Sequence, residues 1–148
     1  LETHVHADHL SGAHYLRRHL GGLVGIGAEI TGVQSTIAEI YSDSSSLARS
    51  GSQFDVLLED EHRLAFGSLD IRVLHVPGHT PGCVAYLIGD ALFAGDTLFM
   101  PDSGTARCDF PGGDARRLYR STQRLSGLAD TTRAFARHDY QPNGRSLQ

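Results

Sequence analysis

Leu10, Ala13, Leu16 and Leu20 recur at the spacing of one helix face, and Gly21 and Gly22 stop the run, so an amphipathic helix is expected after Asp8, a candidate N-cap. The apolar "LVGIGAEI" then predicts a short strand, and "TGVQSTIAEIY" a second helix begun at or near Thr31. The Ser-rich "SDSSSLARSGSQ" has no period and reads as a loop. From Glu61 the pattern changes to strands, "HRLAFG", "LDIRVLHV", "CVAYLIG" and "ALFAG", joined by short Gly/Asp or Gly/Ser turns. A loop-rich stretch through "MPDSGTARCDFPGG" leads into a helix over "DARRLYRSTQRLSGL" and a last short strand in "TRAFARHDY". Helices alternating with an antiparallel block predict a layered α/β domain.

With 148 residues, 40% of them hydrophobic and 20% charged, the chain is expected to form a single domain over 1–148 with its own core. No apolar run approaches the ~20 residues of a membrane span. The net charge of -4 and the scattered arginines argue against a nucleic-acid partner. Two cysteines, Cys83 and Cys108, imply no disulfide framework and fit a reducing compartment. The strands that should flank the opening stretch in a sheet are absent, so the chain is expected to be truncated, with sequence missing upstream.

The opening "LETHVHADHL" packs His4, His6, Asp8 and His9 into six positions. On a strand end, His4 and His6 project to one side by the period of two, while Asp8 and His9 are turned over by the helix that follows. Such a layout can feed two adjacent metal positions; the alternative is a surface cluster without a ligand role. Further groups fall where predicted strands run out into loops: His79 in "PGHTPG", Asp96 in "AGDTLF" and His138 in "RHDY". A rigid sheet fixes the backbone there, while the loop lets side chains converge. His14, His19, His62 and His75 read as ordinary histidines, and "RRLYR" as a solvated helix face.

H-x-H-x-D-H, then G-H-T, then G-D-T, then a late histidine, in that order and from Glu2 to Tyr140, resembles the metallo-β-lactamase superfamily. The resemblance implies an αββα sandwich with a metal site at one edge of the sheets, of which this chain would be the later two-thirds. "TARCDFPGG" with "LYRS" behind it is similar to the persulfide dioxygenases, the sulfur dioxygenase or β-lactamase hydrolase-like type. That family implies one Fe(II) per chain, held by His4, His79 and Asp96, with His6, Asp8, His9 and His138 as an adjacent polar shell or an empty second site. It implies glutathione persulfide and O₂ as substrates, with sulfite and glutathione leaving. Arg107 and Tyr140 match an arginine and a tyrosine near its active site. Localisation would be cytoplasmic for a bacterial-type protein, or the mitochondrial matrix for a eukaryotic one, and a homodimer is allowed.

Physical reasoning on the residues leaves other readings open. In a zinc-dependent thioester hydrolase of the glyoxalase II kind, His4, His6 and His79 would hold one Zn(II), Asp8, His9 and His138 a second, with Asp96 bridging. A third reading is a catalytically idle metal-binding module. Arg107 has a simple alternative in pairing with Asp109, Tyr140 as a core aromatic, and Cys108 as a structural rather than a reactive thiol.

Overall fold

The computed structural model describes residues 1–6, 10–41 and 48–146. Its elements run α1 (Ala13–Leu20), β1 (Gly25–Gly27), α2 (Ile30–Ile40), β2 (Val56–Leu58), β3 (Arg63–Phe66), β4 (Leu69–His75), β5 (Val84–Ile88), β6 (Ala91–Phe93), α3 (Ala115–Ser126) and β7 (Arg133–Phe135). A short 3-10 turn, Pro142–Gly144, follows. Strands β1 and β2 pair in parallel across α2, while β3 to β7 form a second sheet in chain order. Three antiparallel pairings build that sheet, and β7 joins β6 in parallel.

Side-chain alternation stacks these elements in four layers. Ile71 and Val73 on β4, with Val84 and Tyr86 on β5, face Leu58 of the small sheet. The other face carries Leu74, Val76, Cys83, Ala85 and Leu92 against Leu125 of α3. On the far side of the small sheet, Ile26 packs with Ile30 and Val33 of α2. The order is therefore helix, sheet, sheet, helix, the αββα sandwich. Burial pushes the Cys83 thiol up to about 11, so it stays protonated inside this core.

The strands expected from Glu61 onward form where the alternation places them, joined at Gly67 and Gly89, both with positive φ. The first helix differs in two respects. It begins only at Ala13, whose N–H is met by the Ser11 hydroxyl; the expected cap, Asp8, lies outside the described residues. Its apolar face also remains uncovered, with Leu16 and Leu20 exposed, as is Leu10 ahead of the helix. Of the Ser-rich loop, residues 42–47 lie outside the described residues, and 48–53 are irregular. An apolar groove of about 670 Å³, lined by Leu1, Leu23, Leu64, Phe66 and Phe93 among others, runs beside the two sheets. Among the described residues no helix is long and apolar enough to cross a membrane.

Helix α3 is capped by Asp114, whose Oδ1 accepts the N–H groups of Arg116 (2.8 Å) and Arg117 (2.9 Å). The bond from the Arg117 N–H, with that from Arg116, holds the carboxyl below its ordinary range. A depressed folded-state value makes this stabilisation complete above the unfolded pKa, and it is lost as pH falls through the folded one. Asp114→Asn keeps a capping oxygen but removes the titration. Its acid-unfolding curve, followed by far-UV circular dichroism, is expected to show a shallower loss of stability below pH ~4 than the parent.

Candidate metal centre

The cluster assembles at one edge of the sandwich. Residues 2–4 run extended between the sheets: Glu2 N–H donates to Gly25 O, Val84 N–H to Thr3 O, and the Tyr86 hydroxyl to Glu2 O at 2.7 Å. This holds the buried His4 beside the end of β6. Gly95, at φ 56°, approaches so closely that a Cβ there would lie 3.0 Å from Thr3, and the next residue, Asp96, is thereby brought against His4. His79 sits in the β4–β5 connection, closed by Val76 N–H to Cys83 O and tightened by a Thr80–Cys83 contact of 3.1 Å. His138 follows β7.

One donor atom each from His4, His79 and Asp96 lies within 4.8 Å of the other two, and all three residues are buried. Asp96 Oδ2 is 3.7 Å from His4 Nε2 and 3.6 Å from His79 Nε2. These separations are too long for hydrogen bonds. They suit ligands arranged about one ion, since donors at ~2.1 Å from a metal stand ~3–3.5 Å apart. His79 Nε2 and Asp96 Oδ1 are buried without a hydrogen-bond partner among the described residues, a costly state in an interior unless an ion is shared. The His79 tautomer follows from its other nitrogen. Nδ1 lies 2.7 Å from the Arg107 carbonyl, which can only accept, so Nδ1 carries the proton and Nε2 offers its lone pair to the cluster. The donor set fits a metal ion.

The other sequence candidates divide. His138 Nε2 lies 3.6 Å from Asp96 Oδ1, on the carboxylate oxygen opposite the one facing His4 and His79. His6 packs edge-on against His79 and Phe110, with ring centroids 4.7 and 4.2 Å away. Asp8 and His9 lie outside the described residues. A cleft of about 500 Å³ opens over the cluster, lined by His6, His79, Asp96, Phe99, Arg107, Phe110 and Tyr140. Arg107 stands at its rim with the guanidinium 4.2 Å above the Phe110 ring. It also meets Asp109 at 3.4 Å, the pairing weighed as an alternative from the sequence, but both side chains are largely exposed and such pairs contribute little. The alternative of a core aromatic at Tyr140 fails: the residue is 62% exposed, stacked on His138 at 5.5 Å and edge-on to Phe99. Cys108 is a half-buried free thiol.

Arg145 escapes sequence reasoning altogether. It joins Asp139 to Asp102, with Nη1 3.1 Å from Asp139 Oδ2 and Nη2 3.2 Å from Asp102 Oδ1, so the segment carrying His138 and Tyr140 is fastened to the loop after Phe99. The hydrogen bond from Arg145 holds the Asp139 carboxyl below its ordinary range.

Four layers with a buried two-histidine, one-carboxylate cluster at the strand ends define a metal-binding αββα domain. The chain belongs to the metallo-β-lactamase superfamily, whose family model matches residues 1–138. It is 52% identical over 158 aligned residues to a probable metallo-hydrolase of Burkholderia pseudomallei, covering 100% of this chain and 54% of that protein. It is 53% identical to a β-lactamase hydrolase-like protein of Agrobacterium fabrum, covering 99% and 34%. At 34% identity it matches human mitochondrial persulfide dioxygenase ETHE1 (95% and 48% covered) and a Shewanella hydroxyacylglutathione hydrolase (93% and 52%). The chain thus spans about half the length, or less, of these relatives. Among solved structures, ETHE1 from Myxococcus xanthus superposes with a TM-score of 0.71 at 33% identity, covering 95% of this chain and 53% of that one. A di-iron-bound protein, TTHA1623, gives 0.67 at 31%, covering 93% and 67%.

Proposed function

We propose that the protein is an iron-dependent persulfide dioxygenase that converts glutathione persulfide, O₂ and water into glutathione, sulfite and two protons. The observation that carries this reading is the buried trio of His4, His79 and Asp96 beneath an open cleft, because two histidines and one carboxylate on one face are the ligand set of non-haem iron oxygenases. Likeness to proteins named persulfide dioxygenase over 95% of the chain supports it further. In this reading the three residues hold one Fe(II), which when bound supplies the redox chemistry between O₂ and the terminal sulfur.

The chain's own residues bind and orient. Asp96 contributes the single negative charge of the trio, and the Arg107 carbonyl fixes the His79 ring. At the rim, the Arg107 guanidinium is placed to receive a glutathione carboxylate, and the Tyr140 hydroxyl borders the same cleft. Phe99 and Phe110 line its walls with apolar surface that keeps water from the reacting sulfur.

A second reading, a two-zinc thioester hydrolase acting on glutathione conjugates, is favoured by one feature. Asp96 presents Oδ2 to His4 and His79 and Oδ1 to His138, as a bridging carboxylate would. The two separate in anaerobic purification followed by metal analysis and an oxygen-electrode assay. About one iron per chain with persulfide-dependent O₂ uptake is expected. Two zinc ions and no uptake would establish the hydrolase instead. His6→Ala is expected to leave the iron content within about twofold of the parent, whereas a two-zinc centre would lose much of one ion.

A further inference from the structure

Beside the metal cleft lies a second cavity of about 250 Å³, between α2 and the loops that carry His6 and Phe110. Val33 and Ile37 of α2 line it together with Val5 and Pro81, and it shares His6 and Phe110 with the cleft. The two cavities therefore flank one pair of rings in edge contact at 4.2 Å. Their chemistry differs. Arg107 borders the cleft, whereas no Asp, Glu, Lys or Arg among the described residues lines the α2 cavity.

We infer that the α2 cavity takes an apolar arm carried on the inner sulfur, next to the reacting terminal sulfur, so that small alkyl persulfides are substrates beside glutathione persulfide. The inference rests on the persulfide reading above. Glutathione carries two carboxylates and an ammonium, which no charged group among the described residues of this cavity would meet, so the charged arm belongs on the Arg107 side. An alkyl arm gains by leaving water for the surface of Val33 and Ile37. The volume suits a short chain rather than a peptide segment, and the His6–Phe110 ring pair that borders both cavities sets such an arm beside the cleft over His79 and Asp96. The reaction balances as before: alkyl persulfide, O₂ and water give alkyl thiol, sulfite and two protons.

The test is titration calorimetry of the metal-loaded protein with ethanethiol, 1-butanethiol and 1-hexanethiol, each the thiol product of one such substrate. Affinity is expected to rise about threefold per added methylene, somewhat below the full value for complete burial because the cavity is open on one side. Ile37→Trp, which fills the cavity, is expected to flatten the series to within about twofold overall and leave glutathione affinity unchanged. Should that variant unfold, Thr36→Phe at the half-buried rim makes the same test. A parent series without a slope, or a slope that survives substitution, overturns the inference. Thiol binding does not require oxygenation, so failed O₂ uptake with the slope intact overturns the persulfide reading and leaves the apolar subsite standing. Intact uptake without a slope does the reverse.

Discussion

Asp96→Asn is expected to empty the metal centre, lowering metal affinity by more than about a hundredfold and persulfide-dependent O₂ uptake to background. Second-sphere partners alone are worth ~10–100-fold, and this substitution removes the only anion among the trio itself. An amide of the same shape leaves the backbone bond from Ala106 N–H to Asp96 O in place, so the fold should persist. Stability should then move the opposite way to metal content. In the metal-free parent, Asp96 is a carboxylate buried to 4% exposure, with Oδ1 lacking a hydrogen-bond partner among the described residues. Removing that buried charge is expected to leave the metal-free variant at least as stable as the metal-free parent. Metal analysis after dialysis, paired with thermal melts of both metal-free proteins, checks the two halves separately. Full metal occupancy in the variant would sink the ligand assignment.

Gly78→Ala should be among the most damaging glycine-to-alanine changes in the chain. Gly78 precedes His79 at φ 143°, and a Cβ there would lie 2.3 Å from the backbone N and Cα of Leu118 in α3. Backbone cannot swing aside as a side-chain tip can. The loop is further pinned to that helix by Asp114 N–H donating to Gly78 O at 2.9 Å and the Ser121 hydroxyl to Pro77 O at 2.7 Å. Conformational strain and overpacking together are expected to cost on the order of 4 kcal/mol, and to release His79 from its site. Gly67→Ala is the control. It too has positive φ (62°), but nothing lies within 4 Å of the added methyl, so only strain of about 1 kcal/mol remains. Denaturant midpoints of the two variants measure the difference; equal losses would show that the contact with α3 is not what constrains the loop.

The strands from β3 to β6 were legible because their period of two and their glycine turns are local signals, carried by runs such as "LDIRVLHV". The convergence of the candidate metal site was legible for a related reason: His79, Asp96 and His138 each follow a recognisable strand end. Strand β2, "VLL", was not anticipated, because three residues are too few to show a period and its pairing partner, β1, is distant in sequence. The fastening of Asp102 to Asp139 through Arg145 has no sequence signature either. Charges at positions 102, 139 and 145 become neighbours only once β7 is laid beside β6. The exposed leucines of α1 show the limit of periodicity, which assigns a residue to a face of its own helix but not to a partner.

Arg107 is attached to the centre in two ways. Its carbonyl accepts the proton on His79 Nδ1, while its side chain stands at the mouth of the cleft. In the proposed function, a shift of the Arg107 main chain on ligand arrival would reach the imidazole through this hydrogen bond and alter how strongly Nε2 donates electrons. The side chain proposed to receive the ligand and the carbonyl that orients His79 belong to one residue. An alanine scan is blind to half of that coupling, because Arg107→Ala deletes the guanidinium and keeps the carbonyl; only a change to the backbone itself, such as an amide-to-ester replacement that weakens this acceptor, reaches the other half.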